Sequence, residues 1–294
     1  MWRFLLALAL LTAGPIEAQT LSRQLAEARA AAAPYEEFRT ARRTGWKPFG
    51  GDASLMGRHY FHPDNPDYTK GEQIDFLRPS NLVYSRVGGE PRLVALAYNM
   101  RIGPDEAIPE GFAGSQDIWH VHDAVKFLAA MREARPLIGG IAENWFQGNV
   151  LQKDGRGRLA MVHVWLIPNP KGTFASHNPA LPYYDLRLPP EWASDGDMVA
   201  ARGLALAQKD GCKNALDAEL FIAGVDGRRK RQLFGICREG AARVKAELGS
   251  GEERLEAVAR DAWQRLEDTR YLLLTAQEQS RIAAFVEDGP GICR

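Results

Sequence analysis

The histidines are the residues of this chain whose types and spacing could do chemistry. All six lie within residues 59–177, and three of them occupy two short segments with strand-like sequences, 118–123 and 161–165. A strand directs alternate side chains to the same face, so His120 and His122 project together, about 7 Å apart along the backbone. Two imidazoles at this spacing can bind one metal ion.

A third imidazole comes from the second segment, which carries His163. If the two segments are neighbouring strands, His163 completes a three-nitrogen face with one coordination position left open, an arrangement typical of zinc and copper sites. The sequence therefore predicts one divalent metal ion, zinc or copper, bound through His163 and one or both of His120 and His122. Imidazole also suits nickel and iron, so the ligand type alone does not fix the metal.

Carboxylates near these histidines could complete the chemistry. A ligating histidine needs its second ring nitrogen held by a carbonyl or carboxylate, and Asp117, Asp123 and Glu143 are near enough in sequence to supply one. Asp123 and Glu143 are also the candidate proton acceptors for a water molecule activated by the metal. Such a site would make the protein a metal-dependent hydrolase or an oxygen-chemistry enzyme acting on a small-molecule substrate.

Other interpretations of the same residues stay open. The histidines could satisfy hydrogen bonds in a polar pocket, or transfer protons without a metal. Trp119 and Trp165 could form the walls of a pocket for haem or another planar cofactor. In a non-catalytic alternative, this is an envelope protein in which the histidine cluster stabilises a sheet and a helical region binds a partner.

The amino terminus reads as a secretory signal over residues 1–18. Arg3 supplies the positive charge, residues 4–11 are apolar, and a cleavage site is expected before Gln19. This apolar run is too short to cross a bilayer, and no later segment approaches the roughly 20 apolar residues that a membrane helix needs. We therefore expect a soluble, exported protein, periplasmic or secreted.

The charge balance argues against a nucleic-acid partner. The chain has 37 basic and 37 acidic residues, so its formal net charge is zero. A balanced chain provides no electrostatic attraction for a polyanion.

Cysteines occur only in the last third of the chain, at positions 212, 237 and 293. Export permits a disulfide, and one of the three residues must remain unpaired. Cys212 with Cys237 and Cys212 with Cys293 are the competing pairings, and the sequence does not separate them.

Hydrophobic patterning assigns elements to the first two thirds of the chain. Residues 21–43 suit amphipathic helices interrupted at Pro34, and residues 81–87 and 92–102 suit strands joined by a hairpin turn at Gly88-Gly89. Residues 54–75 look irregular and are expected to form a loop carrying His59 and His62. Both faces of the strand predicted at 158–168 are apolar, which indicates a central strand.

The remainder reads as helical. We expect helices at 197–208, 214–222, 228–248, 252–269 and 275–287. The predicted fold class is α+β: a small, mainly antiparallel sheet with covering helices, followed by a helical C-terminal module. The predicted organisation is a signal peptide at 1–18, a histidine-bearing α+β domain at 19–190 and the helical module at 191–294.

A series of motifs resembles, in chain order, those of a family of secreted bacterial proteins of unassigned function. The motifs are Ala30-Ala-Ala-Ala-Pro-Tyr35, Ala41-Arg-Arg-Thr-Gly-Trp46, Met56-Gly-Arg-His-Tyr60, Arg78-Pro-Ser-Asn-Leu-Val-Tyr84, Arg92-Leu-Val-Ala-Leu-Ala-Tyr98, His163-Val-Trp165 and Asn169-Pro-Lys-Gly-Thr-Phe174 with Asn178-Pro179. The resemblance covers approximately residues 25–180 and implies no particular reaction. It implies that the Gly57–Tyr60 segment belongs to the same site as His163, which raises His59 above His62 and His177 as a candidate ligand.

A partial match to the cupin metal motif is also present. Gly114, followed by His120 and His122, is similar to the opening of that motif. Lys126 and Phe127 stand where its glutamate is expected, and the second cupin motif is absent. A cupin barrel is therefore not the predicted fold.

Overall fold

The computed structural model describes most of the chain. The described residues are 13–65, 67–69, 72–103, 105–108, 110–114, 117–138 and 157–288. Glu143, Cys293 and most of the predicted signal peptide lie outside them.

The strands form one sheet. They are β1 (Lys47–Ala53), β2 (Gly57–Phe61), β3 (Tyr68–Thr69), β4 (Asn81–Val87), β5 (Glu90–Ile102), β6 (His120–Asp123) and β7 (Arg158–Trp165). The strand order is β1-β2-β4-β5-β7-β6, with every neighbouring pair antiparallel, and β3 pairs with β5 in parallel. This mainly antiparallel sheet confirms the predicted α+β class.

Helices precede, interrupt and follow the sheet. They are α1 (Ala13–Ala32), α2 (Phe38–Arg43), α3 (Ala124–Ala134), α4 (Leu181–Leu186), α5 (Met198–Leu206), α6 (Gly211–Ile222), α7 (Gly227–Ala246), α8 (Glu252–Leu273) and α9 (Ala276–Asp288). The break between α1 and α2 includes a short 3-10 turn at Ala33–Tyr35, where Pro34 ends the first helix. Within the part of the chain that is described, none of the helices has the length and apolarity needed to cross a bilayer.

Three strands were missed by the sequence prediction: β1, β2 and the two-residue β3, which lies in the expected loop at 54–75. Residues 57–61 were expected to lie in a loop, but they form β2, so His59 lies in a strand. β1 was missed because Pro48, Gly50 and Gly51 disfavour strands. The structure accommodates these residues in an edge strand whose pairing with β2 shifts between Phe49 and Ala53.

The strand register divides the sheet into two unlike faces. One, which we call the histidine face, carries His59, Val83, Ala95, Ala97 and His163. Helix α4 packs on this face through Leu181.

The opposite face, which we call the aromatic face, carries Tyr60, Leu82, Tyr84, Leu96 and Tyr98. It packs against α1 and α2 through the small side chains of Ala28, Ala32 and Ala41.

The C-terminal helices form a second core. Leu204, Leu220, Leu233 and Leu255 are fully buried in it. The core also contains residues from before position 191, namely Leu128, Met131, Ala180, Tyr183 and Leu188. The helical region therefore packs against α3 and α4, and the predicted domain bounds stay a prediction.

Helices α5 and α8 approach each other closely at Gly203. A Cβ atom at this position would lie 1.9 Å from the carbonyl oxygen of Ala259, so only glycine fits. A hydrogen-bond network ties the same region together: the Tyr183 hydroxyl donates to Glu256 Oε1 at 2.6 Å, and Arg260 bridges Glu256 and Asp197.

One of the two competing disulfides is present. Cys212 on α6 is bonded to Cys237 on α7, with Cα atoms 5.8 Å apart. The bond joins two consecutive helices of the second core, and it is compatible with export to an oxidising compartment.

We expect the double substitution of Cys212 and Cys237 by serine to lower the free energy of unfolding by roughly 3 kcal/mol, because the bond closes a loop of 25 residues and limits the unfolded chain. Urea unfolding of both proteins measures the difference. Cys293→Ser is the matched control and should leave the urea midpoint unchanged; an equal loss in both variants would contradict the assigned pairing.

Candidate metal centre

Strands β6 and β7 bring three histidines to the same face. They pair antiparallel, with His120 opposite Met161 and His122 opposite Leu159. Because Met161 and His163 are two residues apart on β7, all three imidazoles project from one side of the sheet. The two segments are neighbouring strands, which is the condition on which the sequence argument for a three-nitrogen face depends.

His59 joins them from a distant strand. β2 and β7 are separated by β4 and β5, so in a flat sheet their side chains would lie about 14 Å apart. The Nε2 atoms of His59 and His163 are instead 3.0 Å apart. The sheet must therefore curve strongly toward the histidine face.

Small side chains make room for this contact. Ala95 and Ala97 of β5 and Val83 of β4 are fully buried on the histidine face, between His59 and His163. A larger residue at either alanine would occupy the space that the two imidazoles share.

The hydrogen-bond partners of His163 fix its tautomer. Its Nδ1 lies 3.0 Å from the carbonyl oxygen of Ser176, which can only accept, so Nδ1 carries the hydrogen in the neutral ring. Nε2 is left with a lone pair directed at His59 Nε2. A backbone carbonyl holding the second ring nitrogen is the usual support of a metal-ligating histidine.

Two asparagines hold the loop that presents Ser176. Asn169 Nδ2 donates to the carbonyl oxygen of His177 at 2.9 Å, and the buried Asn178 donates from Nδ2 to the carbonyl oxygen of Pro168 at 3.0 Å. The indole of Trp165 donates to the carbonyl oxygen of Ala175 at 2.6 Å. The loop is thus fixed on both sides of Ser176.

The separations between the imidazoles are those of side chains that bind one metal ion. The ring centroids of His59 and His163, His120 and His163, and His120 and His122 lie 5.2, 5.0 and 5.1 Å apart. Two imidazoles on one tetrahedral zinc have nitrogens roughly 3.3 Å apart and ring centroids roughly 5 Å apart. His120 therefore contacts the His163 ring directly.

His120 has nitrogens that the surrounding protein does not satisfy. Both Nδ1 and Nε2 are buried and lack a hydrogen-bond partner among the described residues. An unsatisfied buried polar atom costs about 1–3 kcal/mol, so a metal ion or a bound polar molecule would stabilise this ring.

Burial keeps the cluster neutral. Desolvation lowers the pKa of His163 to about 4, and with the neighbouring imidazoles it lowers the pKa values of His59 and His120 well below 6.5. Burial, with the charge of Arg202, lowers the pKa of His177 to about 3. At neutral pH these rings carry the lone pairs that metal binding requires.

The side chains do not already form a complete coordination sphere. Within the described part of the chain, no three His, Cys, Asp or Glu side chains are placed so that they could hold a metal ion together. His59 and His163 have a suitable separation, whereas His120 would have to rotate to direct a nitrogen at the same point.

The remaining predicted residues lie elsewhere. Asp123 lies at the start of α3, where Oδ1 accepts from the Lys126 backbone N–H at 3.1 Å, and strand alternation directs it away from His122. Asp117 accepts from the Phe112 N–H at 2.6 Å. Glu143 lies outside the described residues, so proton transfer by Asp123 or Glu143 stays a prediction.

One contributor was not predicted from the sequence, namely the carbonyl of Ser176, which supports His163. His177, which the sequence ranked below His59 as a candidate ligand, lies beside the cluster, with Nδ1 3.1 Å from Ser176 Oγ. A carbonyl contact leaves no signal in side-chain identity. His62 stands apart from the cluster, contacting the Thr44 carbonyl and the Trp46 ring.

Comparison of the chain with protein-family models, with curated proteins and with solved structures finds no match. The family resemblance of the sequence motifs therefore stays a prediction.

The lowered pKa of His163 predicts acid sensitivity of the metal-free protein. In the unfolded chain His163 takes up a proton near pH 6.5, whereas in the folded protein it does so only near pH 4. The contribution of neutral His163 to the free energy of unfolding is therefore complete above pH 6.5 and is lost as the pH falls toward 4. We expect the stability difference between the parent protein and His163→Gln to shrink by roughly 3 kcal/mol over this range. Urea unfolding with chelator present measures it at each pH.

Taking the difference between the two proteins cancels the opposing effect of Asp52 and Asp117. Burial raises the pKa of each to about 6, so these carboxyls favour the folded state as pH falls below 6. A difference that stays constant between pH 6.5 and 4 would show that His163 is not buried in its neutral form.

Proposed function

We propose that this protein is exported and binds one divalent metal ion, zinc or copper, through its histidine cluster. His59, His163 and His120 are the proposed ligands, with His122 as the alternative to His120. The observation that carries the proposal is the His59–His163 pair: the nitrogens are 3.0 Å apart, and the opposite nitrogen of His163 is held by a carbonyl. This support directs a lone pair into the space between the rings.

The unsatisfied ring of His120 supports the same proposal. It lies against His163, and its nitrogens have no partner in the described structure. Rotation of this one side chain would provide the third nitrogen. Three imidazole ligands would leave one position open for water or substrate, which is the arrangement of hydrolytic zinc sites and of several oxygen-activating copper and iron sites.

The proposed class of reaction rests only on this open coordination position of the metal. A metal ion at the site would polarise a substrate or activate water, so hydrolysis or oxygen chemistry on a small molecule is the proposed class.

A structural role is the alternative. Because no three side chains are already placed around one point, His59 Nε2 can simply donate a hydrogen bond to His163 Nε2 and join the two halves of the curved sheet. In that case the protein is a non-catalytic envelope protein and the helical region is its partner-binding part.

Elemental analysis of the full chain, purified without a histidine tag, tests the proposal. We expect about one zinc or copper ion per chain, and a melting temperature that falls on treatment with chelator because metal binding stabilises the folded state. The double variant His120→Ala/His163→Ala should lose the metal, and His62→Ala, which changes a histidine outside the cluster, should retain it.

Stoichiometric metal in the double variant would refute these ligands. A parent protein that takes up no added zinc or copper, and melts identically with and without chelator, would favour the structural alternative.

A further inference from the structure

A second concave site lies on the opposite side of the sheet from the histidines. It is a cleft of about 640 Å³ between the aromatic face and helix α6. Binding sites for small organic molecules span roughly 300–1,000 Å³, so the cleft has the size for such a ligand. The proposed metal centre gives no role to this cleft.

The inner wall of the cleft is aromatic. Phe38, Tyr60 and Tyr84 line it and contact one another edge to face, with ring centroids 4.9–5.4 Å apart. Tyr84 is held further by its hydroxyl, which donates to the Tyr35 carbonyl at 2.5 Å. This rigid trio offers an apolar surface for the body of a ligand.

Two arginines project beside this wall. Arg58 of β2 lies with its guanidinium carbon 6.0 Å from the Tyr60 ring centre, and Arg86 of β4 forms an ion pair with Asp185, with Nε and Oδ1 3.7 Å apart. The Nε atoms of Arg58 and Arg86 are buried and have no hydrogen-bond partner in the described residues. The cleft thus presents buried donors that need an acceptor.

Acidic residues also line the cleft, one at its floor and two at its rim. Asp52 lies at its floor, and burial raises the pKa of this carboxyl to about 6 against the lowering effect of Arg58 and Arg86. At the rim, the exposed residues Lys209, Lys213, Asp210 and Asp217 balance in charge. The cleft therefore combines two guanidinium groups, one of them ion-paired with Asp185, with one carboxylate that is poorly stabilised in its charged form.

We propose that this cleft binds a small organic anion in which a phosphate or carboxylate group is attached to an apolar body. The anionic group would accept hydrogen bonds from Arg58 and Arg86, whose forked donors match carboxylate and phosphate oxygens. The apolar body would pack on Phe38 and Tyr60. Asp52 opposes the ligand charge and so limits the affinity.

Phenyl phosphate is the probe, measured by isothermal titration calorimetry on the full chain. We expect saturable binding that is tighter than that of inorganic phosphate, which lacks the ring, and of phenol, which lacks the charge. No saturable binding of phenyl phosphate at millimolar concentrations would overturn the proposal, as would equal affinity for phenyl phosphate and inorganic phosphate.

Two substitutions with opposite expected effects locate the site. Arg58→Met keeps the length of the side chain but removes the donors, and should weaken phenyl phosphate binding at least about tenfold. Asp52→Asn removes the opposing charge and should tighten binding. Arg243→Met, an arginine on α7 that pairs with Asp261, is the matched control and should bind as the parent does.

A general loss of structure would weaken binding in every destabilised variant and could not tighten it in Asp52→Asn. Weaker binding in Asp52→Asn, or unchanged binding in a folded Arg58→Met protein, would therefore contradict the proposal. Binding that is lost in His120→Ala/His163→Ala but retained in Arg58→Met would place the anion at the histidines instead.

Discussion

The contact between His59 and His163 imposes the shape of the sheet. Two side chains whose strands are separated by β4 and β5 can meet only if the sheet bends around them. Irregularities occur where the bend is needed: the pairing shifts between Phe49 and Ala53 and again between Val83 and Tyr84. Such bulges increase local twist and curvature. Gly57 contributes as well, because a Cβ there would lie 2.6 Å from the Tyr84 carbonyl oxygen and force β2 away from β4.

Burial removes the hydrogen bonds that a neutral imidazole makes with water, so partners within the protein must replace them. His163 has its partner in the Ser176 carbonyl, and that carbonyl is positioned by the side chains of Asn169 and Asn178. The asparagine-proline motifs of the sequence thereby acquire a physical role, since they hold the loop that orients the central histidine. His120 lacks such a partner among the described residues, which distinguishes it from an ordinary buried histidine.

Hydrophobic periodicity predicted the elements whose apolar residues alternate or repeat regularly. It failed for strands whose backbone is irregular. Strands β4, β5 and β7 and the C-terminal helices follow their hydrophobic patterns, so they were found. β1 and β2 contain Pro48, Gly50, Gly51 and Gly57, which are typical of loops, yet β1 is an irregularly paired edge strand and the close approach of β2 to β4 requires Gly57. The partner of His163 is a main-chain carbonyl, which no motif of side chains could reveal. The alternation rule that joined His120 to His122 did exclude Asp123 from their face, and that signal was available in the sequence.

Strand β2 links the two faces of the sheet. Its pleat directs His59 into the imidazole cluster and its neighbours Arg58 and Tyr60 into the cleft on the opposite face. A shift of one residue in the pairing of β2 with β4 would exchange these environments, placing a guanidinium group among buried imidazoles and an imidazole in the cleft. Burial of an unpaired charge is far more costly than the loss of a few ladder hydrogen bonds. The register of this short strand is therefore determined by side chains on both faces, even though its glycine and its neighbouring edge strand have weak intrinsic preference for strand structure.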